Sequence, residues 1–280
     1  MSITIQIMQS DFVDAIRKMA LPTVAQKDSY FFATIAPKIY PDGRMEWIAK
    51  STNVTAWVRV RYTMPTGVTE PIRIPMDVGQ FLQTLELFSG SDLITFVHDP
   101  ENGLNIFSNS EDGNGRTIKM PTTVQSAVIK DMYDSFPVSL EEGTEVILLK
   151  SGQLRPNVSG TCNIKLFNDL ISNTARISGK TKKEDVSPVY HIFVDETLKQ
   201  IKTVAGSERD RNSKVITDVM MHESVTGTGS LHYSLGFADI CSVLSGEVTF
   251  HAVDKGPLWL MQDTDRVITR YLIPPATYKE

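Results

Sequence analysis

The sequence has little cysteine, no long apolar run and no excess of positive charge, and each shortage excludes a class of protein. Its two cysteines, Cys162 and Cys241, can build neither a disulfide framework nor, by themselves, a four-ligand zinc site. No apolar stretch approaches the roughly 18 residues that cross a bilayer, and MSITIQIMQSDF at the start does not have the pattern of a secretory signal. We therefore expect a cytoplasmic protein, in a reducing compartment and with no membrane partner.

The net charge of −5 argues against a protein that coats nucleic acid with its whole surface, although it allows a basic patch on an acidic body. Reactive groups are scattered rather than clustered. The five histidines lie on expected strands or beside turns, and none lies at metal-ligand spacing from a cysteine or carboxylate. The sequence also lacks a phosphate-binding loop and a dinucleotide fingerprint. We therefore predict no catalytic residues, no metal and no cofactor.

Most of the remaining chain has the aromatic and β-branched composition of strands. Examples are TAWVRVRYT (55–63), DLITFVHD (92–99) and RVITRYLIP (266–274). Turn signals separate such stretches, and EDGNG (111–115) carries the Asp-Gly and Asn-Gly pairs of a hairpin. This pattern predicts an α+β fold that is rich in antiparallel sheet.

Four short stretches instead have the period of a helix with one apolar stripe, as expected for helices that lie on a sheet. They span residues 11–20, 78–88, 166–176 and 236–244. The stripes consist of Phe12, Ala15, Ile16 and Met19; Phe81, Thr84, Leu85 and Phe88; Phe167, Leu170, Ile171 and Thr174; and Phe237, Ile240, Cys241 and Leu244.

The order of these segments repeats. FVDAIRKMA (12–20) returns as FNDLISNTA (167–175), about 155 positions later. Each half of the chain then runs helix, several strands, helix, three strands. Repeats this long indicate duplicated domains rather than solenoid units. We therefore predict two similar domains, each an antiparallel sheet with two helices on one face.

The expected boundaries place the first domain at 1–121, an interdomain connector at 122–143 and the second domain at 144–280. EVILLK (145–150) is interpreted as the first strand of the second domain, and residues 151–162 as an insertion with no assigned role.

The polar arcs of the helices and two loops carry basic residues. Arg17 and Lys18 lie on the first helix beside Asp14, and Lys165 and Arg176 lie on the third. The basic loops contain Lys180, Lys182 and Lys183, and Arg209, Arg211 and Lys214. A solvated surface is one interpretation. Contact with nucleic-acid phosphates, without reading of the base sequence, is the other.

This arrangement resembles a known family, the DNA polymerase sliding clamps of the two-domain kind. The resemblance depends on the duplicated order and on DVGQFLQTLELFSGSDLITF followed by LNIFSNSEDGNGRTIKMPTT. It also depends on VTFHAVDKGPLWLMQDTDRVITRYLIPPA at the end of the chain. The ending TRYLIPPA is similar to that of proliferating cell nuclear antigens, and the SEDGN hairpin is similar to phage clamps.

The resemblance implies a homotrimeric ring around double-stranded DNA, with the helices lining the hole. A DNA polymerase and a clamp loader would be its partners, a phage or other virus is the expected source, and the host cytoplasm its location. The basic residues named above would face the DNA, although Gln83, Glu86, Asp239 and Ser242 of the other two helices depart from a uniformly basic hole. A partner peptide would bind at Tyr133, Phe136, Leu272, Ile273 and Pro274.

Three alternatives remain. The first is a clamp-like accessory protein that does not encircle DNA, and the second is a β-rich virion structural protein. An enzyme whose site is assembled from distant residues ranks last.

Overall fold

A computed structural model forms two compact units, Met1–Phe136 with Asp263–Thr269, and Pro137–Gln262 with Arg270–Glu280. The residues that the structure describes are 2–24, 34–50, 54–101, 103–108, 115–121, 147–149, 152–165, 168–169, 189–205, 216–221, 224–234, 240 and 242–275.

The first unit contains two described helices and eleven strands. In chain order they are β1 (Ile3–Met8), α1 (Gln9–Val24), β2 (Thr34–Ile35), β3 (Lys38–Ile39), β4 (Arg44–Lys50), β5 (Thr55–Arg61), β6 (Thr63–Thr66), β7 (Ile72–Arg73), β8 (Met76–Asp77), α2 (Val78–Leu85), β9 (Leu93–Asp99), β10 (Gly103–Ser108) and β11 (Arg116–Met120). One sheet has the order β11-β10-β9-β1-β6, and β5, β4, β3 and β7 lie side by side in a second; β2 pairs with β8.

The remaining strands, which lie wholly or mostly in the second unit, are also antiparallel. They are β12 (Ile147–Leu149), β13 (Gly152–Leu154), β14 (Val158–Asn163), β15 (Val189–Asp195), β16 (Gln200–Ala205), β17 (Ile216–Met221), β18 (Gly229–Ser234), β19 (Glu247–Ala252), β20 (Leu258–Asp263) and β21 (Val267–Ile273). The order β14-β19-β20-β21 forms one row of strands, and β17-β16-β15-β18 forms another.

The two units share one strand topology. The row β1-β9-β10-β11 of the first unit corresponds to β14-β19-β20-β21 of the second, and β5-β4-β3-β7 corresponds to β17-β16-β15-β18. All recorded pairings in these rows are antiparallel. The predicted α+β fold with a duplicated domain is therefore confirmed.

The start of the second repeat differs from the prediction. β14 begins at Val158 and β1 at Ile3, which is the same offset that separates Phe167 from Phe12. A matched hydrogen bond follows each strand: Gln9 N–H donates to the Asp92 carbonyl at 3.0 Å, and Ile164 N–H donates to the Gly246 carbonyl at 2.8 Å.

The first-strand assignment of EVILLK is therefore wrong. In the described part of the chain, β12 from that stretch pairs with β13 alone as a hairpin. The supposed insertion instead contains β14, whose buried positions Val158, Gly160 and Cys162 alternate as Ile3, Ile5 and Ile7 do in β1. Composition misled the prediction because VSGTCN contains Gly160 and Asn163, residue types that are depleted in strands, whereas EVILLK contains neither.

The first two helices form where the apolar period predicts them. Phe12, Ala15, Ile16 and Met19 of α1 are all buried, as are Phe81, Leu85 and Phe88 in and after α2. Asp77 caps α2, because its Oδ1 accepts the Gln80 N–H at 2.8 Å. In the second unit, residues 164–165, 168–169, 240 and 242–243 are helical, and the rest of the third and fourth predicted helices lies outside the described residues.

Four aromatic rings hold the first unit together. The Phe12 ring of α1 lies 5.6 Å from Trp47 of β4, 5.5 Å from Phe81 of α2 and 4.9 Å from Phe96 of β9, measured between ring centroids. Phe81 and Phe96 also stack, at 5.9 Å. This aromatic cluster joins both helices to both sheets, and it turns the apolar side of α1 toward the strands.

We predict that Phe12→Ala lowers the free energy of unfolding of the first unit by about 3–5 kcal/mol, because a buried ring with three aromatic neighbours is lost. Urea unfolding followed by tryptophan fluorescence measures the change. Phe193→Ala is the control, since Phe193 is 39% exposed on β15 and should change stability by ~0.5 kcal/mol or less. Equal midpoints for the two variants would contradict the role of the cluster.

Candidate nucleic-acid interface

The side of α1 that faces away from the aromatic cluster carries Ser10, Asp11, Asp14 and Arg17, which are exposed or half-buried. The helix period explains this arrangement, since these positions lie opposite the stripe of Phe12, Ile16 and Met19. We name these four residues the α1 outer arc. It is the surface that the sequence assigns to phosphate contact.

Arg17 is exposed, as predicted, and it has an ion-pair partner. Its Nη2 lies 3.3 Å from Oε1 of Glu86, directly after α2, and the two side chains are 59% and 57% exposed. An ion pair as exposed as this one contributes only ~0–1 kcal/mol, because water and salt screen it. A phosphate could therefore replace Glu86 as the partner of Arg17 at little cost.

The placement of Lys18 on the exposed arc is wrong. The Lys18 side chain is 2% exposed, and its Nζ lies 2.8 Å from Oδ2 of Asp14 one turn earlier. Lys18 follows Ala15 by three positions and precedes Met19, so it lies over the margin of the apolar stripe. Because Val13 is also buried, the stripe is wider than its four apolar residues suggest.

Asp11, in the first turn of α1, forms a third ion pair with Arg266, whose Nη1 lies 3.1 Å from Oδ2 of Asp11. Each carboxylate or cation on α1 described so far thus has a partner of opposite sign: Asp11 with Arg266, Asp14 with Lys18, and Arg17 with Glu86. These six charges sum to zero. The α1 outer arc therefore does not present the strongly basic surface that a tight nucleic-acid binder requires.

Other predicted DNA-facing positions are only partly described. Lys165 is exposed in the second unit, and its backbone N–H donates to Oδ1 of Asn163 at 3.0 Å. Gln83, Glu86 and Ser242 are exposed, as expected for a face that is not uniformly basic. The remaining positions lie outside the described residues: Arg176, Lys180, Lys182, Lys183, Arg209, Arg211, Lys214 and Asp239.

The predicted peptide pocket is also partly described. Leu272 and Ile273 at the end of β21 are buried, and Pro274 directly after them is exposed. Tyr133 and Phe136 lie outside the described residues.

The described residues contain no group of three or more His, Cys, Asp or Glu side chains that could hold a metal ion. Burial, followed by the nearby Glu247 carboxylate, raises the pKa of the Cys162 thiol to about 12, so this cysteine stays protonated and unreactive at neutral pH. Burial also lowers the pKa of His98. Within the described part, no helix is both long enough and apolar enough to cross a membrane.

Among the strands that end their sheets in the described structure are β11 and β17. β11 is the last strand of the five-stranded sheet, and β17 is the last strand of its row in the second unit. Arg116 at the start of β11 donates from Nη1 to the Leu87 carbonyl, which connects this edge to the end of α2. Such edges can pair with a strand of another chain.

Comparison with solved structures identifies the fold. A. fulgidus PCNA, solved with the C-terminal region of FEN-1 bound, superposes with a TM-score of 0.69 at 12% identity over 99% of this chain and 100% of that one. A PCNA2–PCNA3 complex from Sulfolobus tokodaii gives a TM-score of 0.63 at 13% identity over 98% and 99%.

A putative DNA polymerase III beta subunit from Eubacterium rectale gives a TM-score of 0.66 at 12% identity over 98% of this chain and 66% of that one. No protein-family model matches the sequence, and no curated protein matches it. The chain therefore has the sliding-clamp fold, at a sequence identity that shows the fold alone.

The burial of Lys18 gives a prediction about stability. Lys18→Glu should lower the free energy of unfolding by about 3 kcal/mol or more, because it buries a carboxylate beside Asp14. Lys18→Met should cost clearly less, since Asp14 is half-exposed and can be hydrated. Urea unfolding of both variants measures the difference.

Arg17→Glu is the control for these variants. It changes the same charge at an exposed position and should leave stability within ~0.5 kcal/mol of wild type. If Lys18→Glu were as stable as Arg17→Glu, Lys18 would be exposed after all.

Proposed function

We propose that this protein is a sliding clamp, a non-catalytic processivity factor that encircles duplex DNA and tethers a replicative DNA polymerase. The duplicated module carries the proposal. Each repeat has the same two rows of antiparallel strands, and in the first repeat the helices turn their apolar sides to those strands. The likeness to solved clamps over 98–99% of the chain supports it.

The charge balance supports topological retention rather than tight binding. A clamp that encloses DNA needs only weak, salt-sensitive phosphate contacts, which allow it to slide. The neutral sum of charges around α1 is compatible with this. The proposed contacts come from Arg17, Lys165, Arg176, Lys180, Lys182, Lys183, Arg209, Arg211 and Lys214. Lys18 is not among them, because its buried ammonium cannot reach a phosphate.

We also propose that the ring is a homotrimer closed by strand pairing. β11 of one subunit would pair with β17 of the next, so that neither edge stays open. Because each subunit carries one edge of each kind, the same contact can be repeated from subunit to subunit until the ring closes.

The partners belong to the same proposal. A polymerase tethered to the ring would gain processivity through its effective concentration at the primer end. Its peptide would bind at Tyr133, Phe136, Leu272, Ile273 and Pro274, beside a connector at 122–143 between domains 1–121 and 144–280. We further propose that a clamp loader places the ring on DNA. The source would be a phage or other virus, and the protein would act in the host cytoplasm. The SEDGN hairpin, which is similar to that of phage clamps, is the reason for the viral source.

Assembly tests the proposal directly. Sedimentation velocity of the full chain at micromolar concentration should give three times the mass of one chain, and negative-stain images should show a six-lobed annulus. The reason is that β11 and β17 of one subunit would find their pairing partners only on the neighbouring subunits. A monomer at every concentration would overturn the ring and favour an accessory protein that does not encircle DNA.

A further inference from the structure

The strands β3, β4, β5 and β7 carry a second charged surface, on the side of the sheet opposite α1. Side chains alternate across a strand, so Val58 and Val60 of β5 face the core and are fully buried, whereas Arg59 and Arg61 point the other way. Five cations share this outward side. We name them the cationic sheet face: Lys38, Arg44, Arg59, Arg61 and Arg73.

The strand register places like charges opposite each other. Lys38 of β3 lies between Arg73 of β7 and Glu46 of β4, whereas Arg44 of β4 pairs directly with Arg61 of β5. Like charges directly opposite each other on neighbouring strands are destabilising. Glu46 offsets the first contact, so Arg44 and Arg61 form the repulsive pair that a more neutral sequence would avoid.

Two carboxylates offset only part of this charge. Glu46 Oε1 lies 2.9 Å from Nε of Arg59 and 3.5 Å from Nη1 of Arg44. Asp42 Oδ2 lies 2.6 Å from Nε of Arg44. Among the described residues, neither Lys38 nor Arg61 has a carboxylate partner. Arg59 and Arg73 make further interactions, so the positive charge that this face offers to a partner is mainly that of Lys38 and Arg61, on a chain whose net charge is −5.

The aromatic rings on this face are already covered by cations. Lys38 Nζ lies 5.0 Å and Arg44 Cζ 4.6 Å from the centre of the Tyr40 ring. Arg59 Cζ lies 4.8 Å from the centre of the Trp57 ring, and Trp57 is only 2% exposed. Single-stranded nucleic acids need open aromatic faces on which bases can stack. The surface therefore suits carboxylates better than bases.

Tyr40 helps to hold the side chains of this face in place and does not itself ionise near neutral pH. Burial, followed by the charge of Glu46, raises the pKa of Tyr40 to about 12. The phenol is therefore protonated at neutral pH and donates to Oε2 of Glu46 at 3.2 Å. This hydrogen bond holds both the ring and the carboxylate in place under Arg44.

The second repeat shows that the fold does not require this charge. On the corresponding strands β15 and β16, Phe193 and Lys202 are the exposed pair, and Phe193 faces Ser230 of β18. The described part of that face thus has one cation where the first repeat has a row of them. The cationic sheet face is therefore a property of this unit's sequence and not of the topology.

We propose that the cationic sheet face is a docking surface for an acidic peptide segment of a partner protein, whose carboxylates lie beside Lys38 and between Arg44 and Arg61. Arginine forks bind carboxylates with two parallel hydrogen bonds, and a carboxylate between Arg44 and Arg61 would convert that repulsive pair into an attractive arrangement. The surface is distinct from the α1 outer arc and needs neither DNA nor a closed ring.

Fluorescence anisotropy with a labelled glutamate-rich peptide tests this proposal on the full-length protein, without DNA. Lys38→Glu and Arg61→Glu should each weaken binding about tenfold, which corresponds to ~1.4 kcal/mol, and added salt should weaken binding to wild type. Arg61→Glu should fold at least as stably as wild type, because it replaces the like-charge pair with Arg44 by an opposite one. Lys38→Gln and Arg61→Gln, which add no negative charge, should weaken binding in the same direction.

Two controls locate the binding. Lys202→Glu changes an exposed cation on the matching face of the second repeat, and Arg17→Glu changes one on the α1 outer arc; both should bind the peptide as wild type does. Absence of peptide binding to wild type, or equal binding to wild type, Lys38→Glu and Arg61→Glu, would overturn the proposal. Displacement of the peptide by a single-stranded oligonucleotide at lower concentration than by unlabelled peptide would also overturn it, in favour of nucleic acid.

Discussion

The packing of Phe12 against Trp47, Phe81 and Phe96 is the contact on which the rest of the first unit depends. It places one ring of α1 between two sheets and α2. Because this contact turns the apolar side of α1 toward the strands, the polar side of α1 must face away from them. Aromatic pairs of this kind contribute ~0.5–1.5 kcal/mol each beyond the area that they bury. Because of this orientation, the α1 outer arc faces away from the strands.

The charges near that arc are balanced rather than concentrated. Glu86 and Asp14 each hold one of the two cations that the sequence places on the first helix, whereas cations are more numerous on the opposite side of the sheet, at the cationic sheet face. A protein held on DNA by topology can tolerate a nearly neutral contact surface. One held by charge alone cannot, since each phosphate contact must supply binding free energy.

Much of the fold could be predicted from local patterns, and the failures have local causes. The period of Phe12, Ala15, Ile16 and Met19 identified α1 and its buried side because one stripe dominates the helix. β14 was missed because Gly160 and Thr161 hide its alternation, although the offset between Phe12 and Phe167 already located it.

The candidate site was harder to predict than the fold. The burial of Lys18 and its pairing with Asp14 depend on the width of the stripe, which a sequence pattern does not give. The opposed pairs Lys38–Arg73 and Arg44–Arg61 depend on strand register between segments that turns and loops separate. The alternation of Arg59 and Arg61 in TAWVRVRYT was the one signal of that face in the sequence.

The most direct test of encirclement compares how long the protein is retained on nicked circular and on linear duplex DNA. The subunits are first dissociated by dilution and are then concentrated again in the presence of the DNA, so that rings can close around it. At a salt concentration that screens phosphate contacts, the protein should stay on the circle and leave once the circle is cut. Equal release from both forms would contradict the central claim.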